Sequence, residues 1–252
     1  MDPQELLSHL AIVLIRPKIP ENIGAAARIA WNMGITRLII VRDDIPDRES
    51  MAKMATHKAA HLIDNLEIYH DLAEALADFS IVVGTTARRG RQRCVEKTPR
   101  QLVEVLLPSL ATNQVAILFG PEDTGLTNDD LKYCQMASAI PTADFSSLNL
   151  AQAVAIHCYE IYYGLVHAQK DMVLAPHLAT THELESMYSS LEESLYSIDF
   201  LNEVSHIYWM MNIRHFFSRI TLTSKDANIV RTVCKKLLLY LKNKNHKDLG
   251  DP

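Results

Sequence analysis

A chain of 252 residues with 48% hydrophobic and 22% charged side chains has the make-up of a folded protein with one substantial core and room for an appendage, which excludes fibrous and wholly disordered classes. The formal net charge of -5 argues against indiscriminate nucleic-acid binding. It hides two basic stretches: six Lys and Arg between Arg88 and Arg100 face only Glu96, and nine between Ser205 and Lys247 face only Asp226. The acids Asp2 and Glu5, and an early apolar run too short for a secretory or membrane segment, lead to the expectation of a cytoplasmic protein that engages no membrane. Cys94, Cys134, Cys158 and Cys234 are too scattered for a metal pair or a disulfide framework, so they read as reduced and mostly buried.

Taken in chain order, apolar runs predict strands at Leu10 to Ile15, Leu38 to Val41, Ile81 to Val83, Val115 to Phe119 and Ala137 to Ile140, with a weaker one at Glu67 to Tyr69. Continuous rather than alternating apolar character points to a parallel sheet covered on both faces, hence an α/β domain over residues 1–170. Asn149 to Gln169 carries a helical stripe of Leu150, Val154, Cys158, Ile161 and Leu165. Lys170 to Thr181, with Pro176, reads as a linker into a helical extension over 171–252. There Leu184, Met187, Leu191 and Leu195 mark an acidic amphipathic helix. Ile213, Phe216 and Ile220, then Val230, Val233, Leu237 and Leu241, mark two basic ones.

Three segments carry candidate chemistry. Asn22-Ile23-Gly24-Ala25-Ala26-Ala27-Arg28 follows the first strand, and its small residues let either a ligand or another helix approach the backbone. Phe119-Gly120-Pro121-Glu122-Asp123-Thr124-Gly125-Leu126-Thr127 has Walker-like glycine spacing, but Leu126 stands where a phosphate loop needs lysine, which excludes nucleoside-triphosphate hydrolysis. Glu122 and Asp123 suit a positively charged ligand or a solvated turn, and Thr127 with Asp130 reads as a helix cap. In Ser146-Ser147-Leu148-Asn149-Leu150 either serine can cap the following helix, whereas Asn149 can hold a turn or present its amide to a ligand. No GxGxxG, GxSxG or HExxH is present. His57 and His61, one helical turn apart, read as surface or ordinary core residues rather than metal ligands.

Taken together, NIGAAAR at Asn22 to Arg28, GTTARRGR at Gly84 to Arg91, FGPEDTGLT at Phe119 to Thr127 and SSLNLAQAV at Ser146 to Val154 resemble the SPOUT RNA methyltransferases of the TrmH/TrmJ type. The last helix, with Asn228-Ile229-Val230-Arg231, is also similar to that branch's extension. The resemblance implies a parallel sheet closed by a C-terminal trefoil knot, an exception to the avoidance of knots. It implies binding of S-adenosyl-L-methionine, with S-adenosylhomocysteine as product, by Thr85, Thr86, Ala87, Gly120, Glu122, Gly125, Ile140, Ser146, Ser147 and Leu148. Glu122 is expected to fix its loop.

By the same resemblance the activity is 2′-O-methylation of tRNA ribose, at cytidine or uridine 32 of the anticodon loop, by a homodimer that needs no metal. The resemblance nominates Arg28 for catalysis, its own or a paired subunit's site being open to it, with Asn22, Ser147 and Asn149 arranging the reactants. Because a guanidinium stays protonated, an electrostatic role for Arg28 fits better than that of a base. Arg88, Arg89, Arg91 and Arg93 are expected to hold RNA phosphates, with the basic C-terminal helices as a second surface. The alternatives are an rRNA ribose methyltransferase with the same site and a catalytically silent RNA-binding protein.

Overall fold

The computed structural model describes residues 2–87, 95–168 and 173–248. The chain forms two compact units, Met1–Pro176 and His177–Pro252. In the first, α1 (Pro3–Leu7), β1 (Leu10–Ile15), α2 (Pro20–Asn32), β2 (Arg37–Val41), α3 (Arg48–Asp64), β3 (Glu67–Tyr69) and α4 (Leu72–Leu76) are followed by β4 (Ile81–Thr85), β5 (Val95–Lys97) and α5 (Pro99–Leu110). β6 (Val115–Phe119), α6 (Asn128–Leu131), β7 (Met136–Ser138) and α7 (Leu150–Val166) complete it.

The strands make one parallel sheet in the order β3-β2-β1-β6-β4-β7-β5. Every residue of β1 and of β6 is buried, which is what a strand covered on both faces requires and why neither alternates in polarity. On one face Ala11, Val13, Ile15, Ala116 and Leu118 pack with Leu72, Leu76 and Phe79. The other face includes Phe119, whose ring meets His157 of α7 edge to face. Strand order reverses between β1 and the β6-β4-β7 group, so the carboxyl ends of β4, β6 and β7 border a crevice, the usual place for a ligand in an open α/β sheet.

β5 was not anticipated: it is three residues long, two of them charged, and carries no apolar run. The final strand runs from Met136 to Ser138 rather than Ala137 to Ile140, because only that span pairs with β4 and β5. The stripe Leu150, Val154, Cys158, Ile161 and Leu165 is buried as expected. Residues beyond α7 stay with this unit, since Thr112 Oγ1 donates to Ala175 O at 2.8 Å and Asn113 Nδ2 to Pro176 O at 3.0 Å. The boundary between units therefore lies at 176/177, later than the linker start at 170.

In the second unit α8 (Thr181–Ser197), α9 (His206–Ser218) and α10 (Ser224–Asp248) enclose a small core of Met187, Tyr188, Leu201, Met210 and Ala227, with Leu184, Leu191 and Leu195 against it. The apolar stripe of the acidic helix thus faces inward. The basic helices meet expectation in part: Ile213 and Val230 pack on the core, but so does Phe217, Cys234 is buried, and Phe216 and Val233 are exposed. Ile220 lies beyond the end of α9 and is also exposed. Arg214 meets both carboxylate oxygens of Glu185, at 2.5 and 2.6 Å, while its guanidinium lies over the Tyr188 ring.

α2 and α3 touch backbone to backbone. A Cβ added at Gly24 falls 1.9 Å from Met51 O, so at that position the small residue serves another helix. α3 is kinked at Thr56, whose φ of 60° and ψ of 168° belong to a region that is essentially glycine's own. Thr56→Gly is therefore expected to stabilise the protein by about 1 kcal/mol or more, and Gly24→Ala to destabilise it by about 1–3 kcal/mol, as shifts of opposite sign in Tm.

Candidate active site

The carboxyl ends of β4, β6 and β7 meet the loop before α7 around a cavity of about 300 Å3. Thr85, Thr86 and Ala87 line it after β4, Gly120 to Leu126 after β6, Ser138 and Ile140 at the end of β7, and Ser146, Ser147 and Leu148 before α7. All ten residues nominated for cofactor contact are therefore on its wall. The volume is at the low end of the usual range for small-molecule sites, about 300–1,000 Å3. Phe119, Leu126, Ile140, Leu148 and Leu150 supply apolar surface suited to a flat ring, and Glu122 supplies negative charge suited to a cation, whereas the charge of Asp123 is met by Lys18. These features fit a sulfonium nucleoside.

The loop after β6 is a tight coil. Gly125 N donates to Pro121 O at 2.9 Å and Gly125 has φ of +66°, while a Cβ on Gly120 falls 2.3 Å from the backbone of Gly125 and Leu126. The two glycines permit this closure for different reasons, one sterically and one conformationally. Thr127 and Asp130 form the expected capping box of α6, and Asp130 also receives Arg16 Nη2 at 2.6 Å. This ties the loop's far end to the exit of β1.

Glu122 ties its near end. Its carboxylate accepts from Lys18 N at 3.0 Å, Ile19 N at 3.4 Å and Asn22 Nδ2 at 2.8 Å. It thereby serves the start of α2, where Ile19 offers no side-chain cap. Burial raises the Glu122 pKa, but the hydrogen bonds from Asn22, Lys18 and Ile19 outweigh it and hold the group below its ordinary 4.5. Asp123 is paired with Lys18 Nζ at 2.6 Å.

Asn22 extends the chain of bonds, since its Oδ1 accepts from Asn149 Nδ2 at 3.0 Å. Asn149 Oδ1 in turn accepts from Ala151 N at 2.9 Å and Gln152 N at 3.4 Å. Asn149 is thus the cap of α7 in a full capping box, a role the sequence reading assigned first to Ser146 or Ser147. Both serines face the cavity instead. Asn22 and Asn149 stand behind the wall as its supports.

Arg28 is not brought to the cavity. It lies six residues beyond Asn22 on α2, about 9 Å along the axis and about 240° around it, and is exposed. Arg88, Arg89, Arg91 and Arg93 lie outside the described residues. His57 is exposed and His61 packs edge-on against Trp31. Among the described residues no group of three or more His, Cys, Asp or Glu is arranged to hold a metal ion.

Two polar residues at the cavity were not anticipated, Ser138 and His157, both almost fully buried. The available signal was a serine and a histidine set among apolar neighbours, in Met136 to Ile140 and on the inner stripe of α7. His157 Nδ1 is 2.8 Å from Ala153 O and Nε2 is 2.9 Å from Ser138 Oγ. Burial pushes the imidazole down to about 4 against a smaller opposing effect of the Ala153 carbonyl, so the ring is neutral near pH 7.

The SpoU rRNA Methylase family profile matches residues 9–159, and that of the tRNA methyltransferase TrmJ C-terminal domain matches 182–247. The chain is 32% identical to the tRNA (cytidine/uridine/adenosine-2'-O-)-methyltransferase TrmJ of Pseudomonas aeruginosa, over 98% of this chain and 100% of the relative. It is 35% identical to the tRNA (cytidine/uridine-2'-O-)-methyltransferase TrmJ of Salmonella typhimurium, over 90% and 96%. The crystal structure of TrmJ from Z. mobilis superposes with a TM-score of 0.79 at 32% identity, covering 90% of this chain and 98% of that one.

Because the Glu122 pKa is lowered in the folded protein, its stabilising contribution is present above about 4.5 and is lost as pH falls through the lower folded-state value. Glu122→Gln should cost about 1–3 kcal/mol at neutral pH, and melting curves of the two proteins should converge on acidification below the ordinary glutamate pKa.

Proposed function

The chain belongs to the SpoU rRNA Methylase family, and we propose that it is an S-adenosyl-L-methionine-dependent methyltransferase acting on the ribose 2′-oxygen of tRNA. The proposed target is cytidine or uridine at position 32 of the anticodon loop, and the proposed working form is a cytoplasmic homodimer. The observation that carries the reading is the convergence of three separate chain segments on one cavity whose apolar and acidic lining suits a sulfonium nucleoside. Likeness to relatives named as tRNA 2'-O-methyltransferases over nearly the whole chain supports the substrate class. The family's own description mentions rRNA, which keeps rRNA as the second reading, but the match of residues 182–247 to the TrmJ C-terminal domain favours tRNA.

The donor supplies a methyl group activated by attachment to a sulfonium. The chain's task is to bring a ribose hydroxyl into line with it and to stabilise the alkoxide that develops, because a hydroxyl is a weak nucleophile. The cavity-facing backbone of Thr85 to Ala87, Gly120, Ile140 and Ser146 to Leu148 would hold the donor. Ser147, exposed at the mouth, would orient the hydroxyl and pass its proton to water. Asn22 and Asn149 keep Glu122 and the start of α7 in register. Arg28, permanently cationic, would clamp the phosphate beside the target sugar across a subunit boundary, consistent with its exposure away from its own cavity. In that role the 2′-OH itself distinguishes RNA from DNA. Arg88, Arg89, Arg91 and Arg93, and the basic residues of α9 and α10, are the proposed phosphate contacts.

The test is incubation with labelled S-adenosylmethionine and total RNA from cells lacking the activity, followed by mapping of the labelled nucleotide. Label in tRNA at a ribose is expected; label confined to rRNA would install the second reading, and donor binding without transfer would point to a silent RNA-binding protein. Arg28→Ala should lower kcat by at least about 100-fold with little change in donor affinity, and unchanged turnover would remove Arg28 from the mechanism.

A further inference from the structure

The buried Ser138–His157 pair has a defined direction. The Ala153 carbonyl can only accept, so His157 Nδ1 carries the hydrogen and donates to it at 2.8 Å. The remaining ring nitrogen, Nε2, is then an acceptor, and Ser138 Oγ–H donates to it at 2.9 Å. The neutral ring at physiological pH agrees with this tautomer. Ser138 is also a junction for the sheet: its carbonyl accepts Thr86 N at 2.9 Å, and it stands opposite Thr85 in the β4–β7 register. One imidazole on α7 therefore holds the end of β7, and through it the residues that follow β4. Those are three of the wall segments of the cavity.

We propose that His157 is a positioning residue for the methyl donor: by accepting the Ser138 hydroxyl it fixes the Ser138 carbonyl and hence the Thr86 backbone against which the donor packs. It takes no part in transfer, since it is only 1% exposed and both of its ring nitrogens are engaged by protein groups. A polar bond inside an apolar wall gives a directional constraint that packing alone does not, because leaving either partner unpaired in that setting is costly. This rests on the cavity being the donor site, as proposed above.

The experiment measures the Kd for S-adenosylmethionine by calorimetry, and KM and kcat in tRNA methylation, for wild type, His157→Phe, Ser138→Ala, the double variant and His157→Gln. Phenylalanine keeps the aromatic volume against Phe119 and removes the acceptor. Glutamine can return an acceptor near Nε2. Each single loss is expected to weaken donor binding about ten-fold while kcat at saturating donor stays within about two-fold. The double variant is expected to be no worse than the poorer single by more than about two-fold, because both remove one bond. His157→Gln should recover most of the affinity. Wild-type Kd in Ser138→Ala, which is small enough to fold even if His157→Phe does not, would overturn the proposal. So would a fall in kcat at unchanged Kd, or single effects that multiply in the double variant. A wild-type protein that neither binds the donor nor methylates RNA removes the donor-site reading and this inference together; normal wild-type behaviour with unaffected variants removes only the inference.

Discussion

The arrangement depends on one carboxylate. Glu122 sits in the coil after β6 and accepts from the two amides that open α2 and from Asn22 within it, and Asn22 passes the connection to Asn149 at the start of α7. Two helix starts and one loop, spread over 127 residues of sequence from Asn22 to Asn149, are thereby referred to a single point. Each bond alone is worth about 1 kcal/mol or a little more, and their value lies in being shared. The helix N-termini concerned carry partial positive charge, which an anion between them offsets. The second tie, Arg16 to Asp130, secures the same loop at its other end, so the coil is held on both sides of its glycines.

That rigidity suits the proposed site, in which main chain would do much of the binding. Backbone donors and acceptors cannot change rotamer, so their accuracy depends on what stands behind them: Thr85 Oγ1 on Leu118 O, Thr86 N on Ser138 O, and Ala139 N on Lys97 O. The polar side chains nearest the cavity act mostly on other protein groups. The short β5 and β7 bring the ends of four strands to one level.

How much of this was legible in the sequence follows the physics of each element. β1 and β6 declared themselves because doubly covered strands must be apolar throughout, and α7 because its stripe repeats at helical spacing. β5 gave no such sign, since Val95-Glu96-Lys97 carries no apolar run and is defined by its pairing to β7. The order of strands was silent for the same reason: register depends on contacts distant in the chain. At the site, the residues facing the cavity followed from likeness to a family, whereas composition left each segment ambiguous. The capping role of Asn149 competed with two neighbouring serines of equal propensity. The kink at Thr56 contradicts the residue's own preference and could not be foreseen from it. His157 was obscured because one histidine among eleven, on a buried stripe, reads as packing until its partner across the sheet is known.

The 25 residues of α10 carry Lys225, Lys235, Lys236, Lys242 and Lys244 at exposed positions, so the first and last of these are about 28 Å apart along the axis. A rod of fixed charges on that scale gains affinity for a polyanion by releasing condensed counterions, a gain indifferent to base identity and eroded by salt. If these charges hold RNA in that way, discrimination among nucleotides falls to the proposed cavity, where a single sugar would be gripped. Tight association at low ionic strength would thus reveal little about which nucleotide the protein selects.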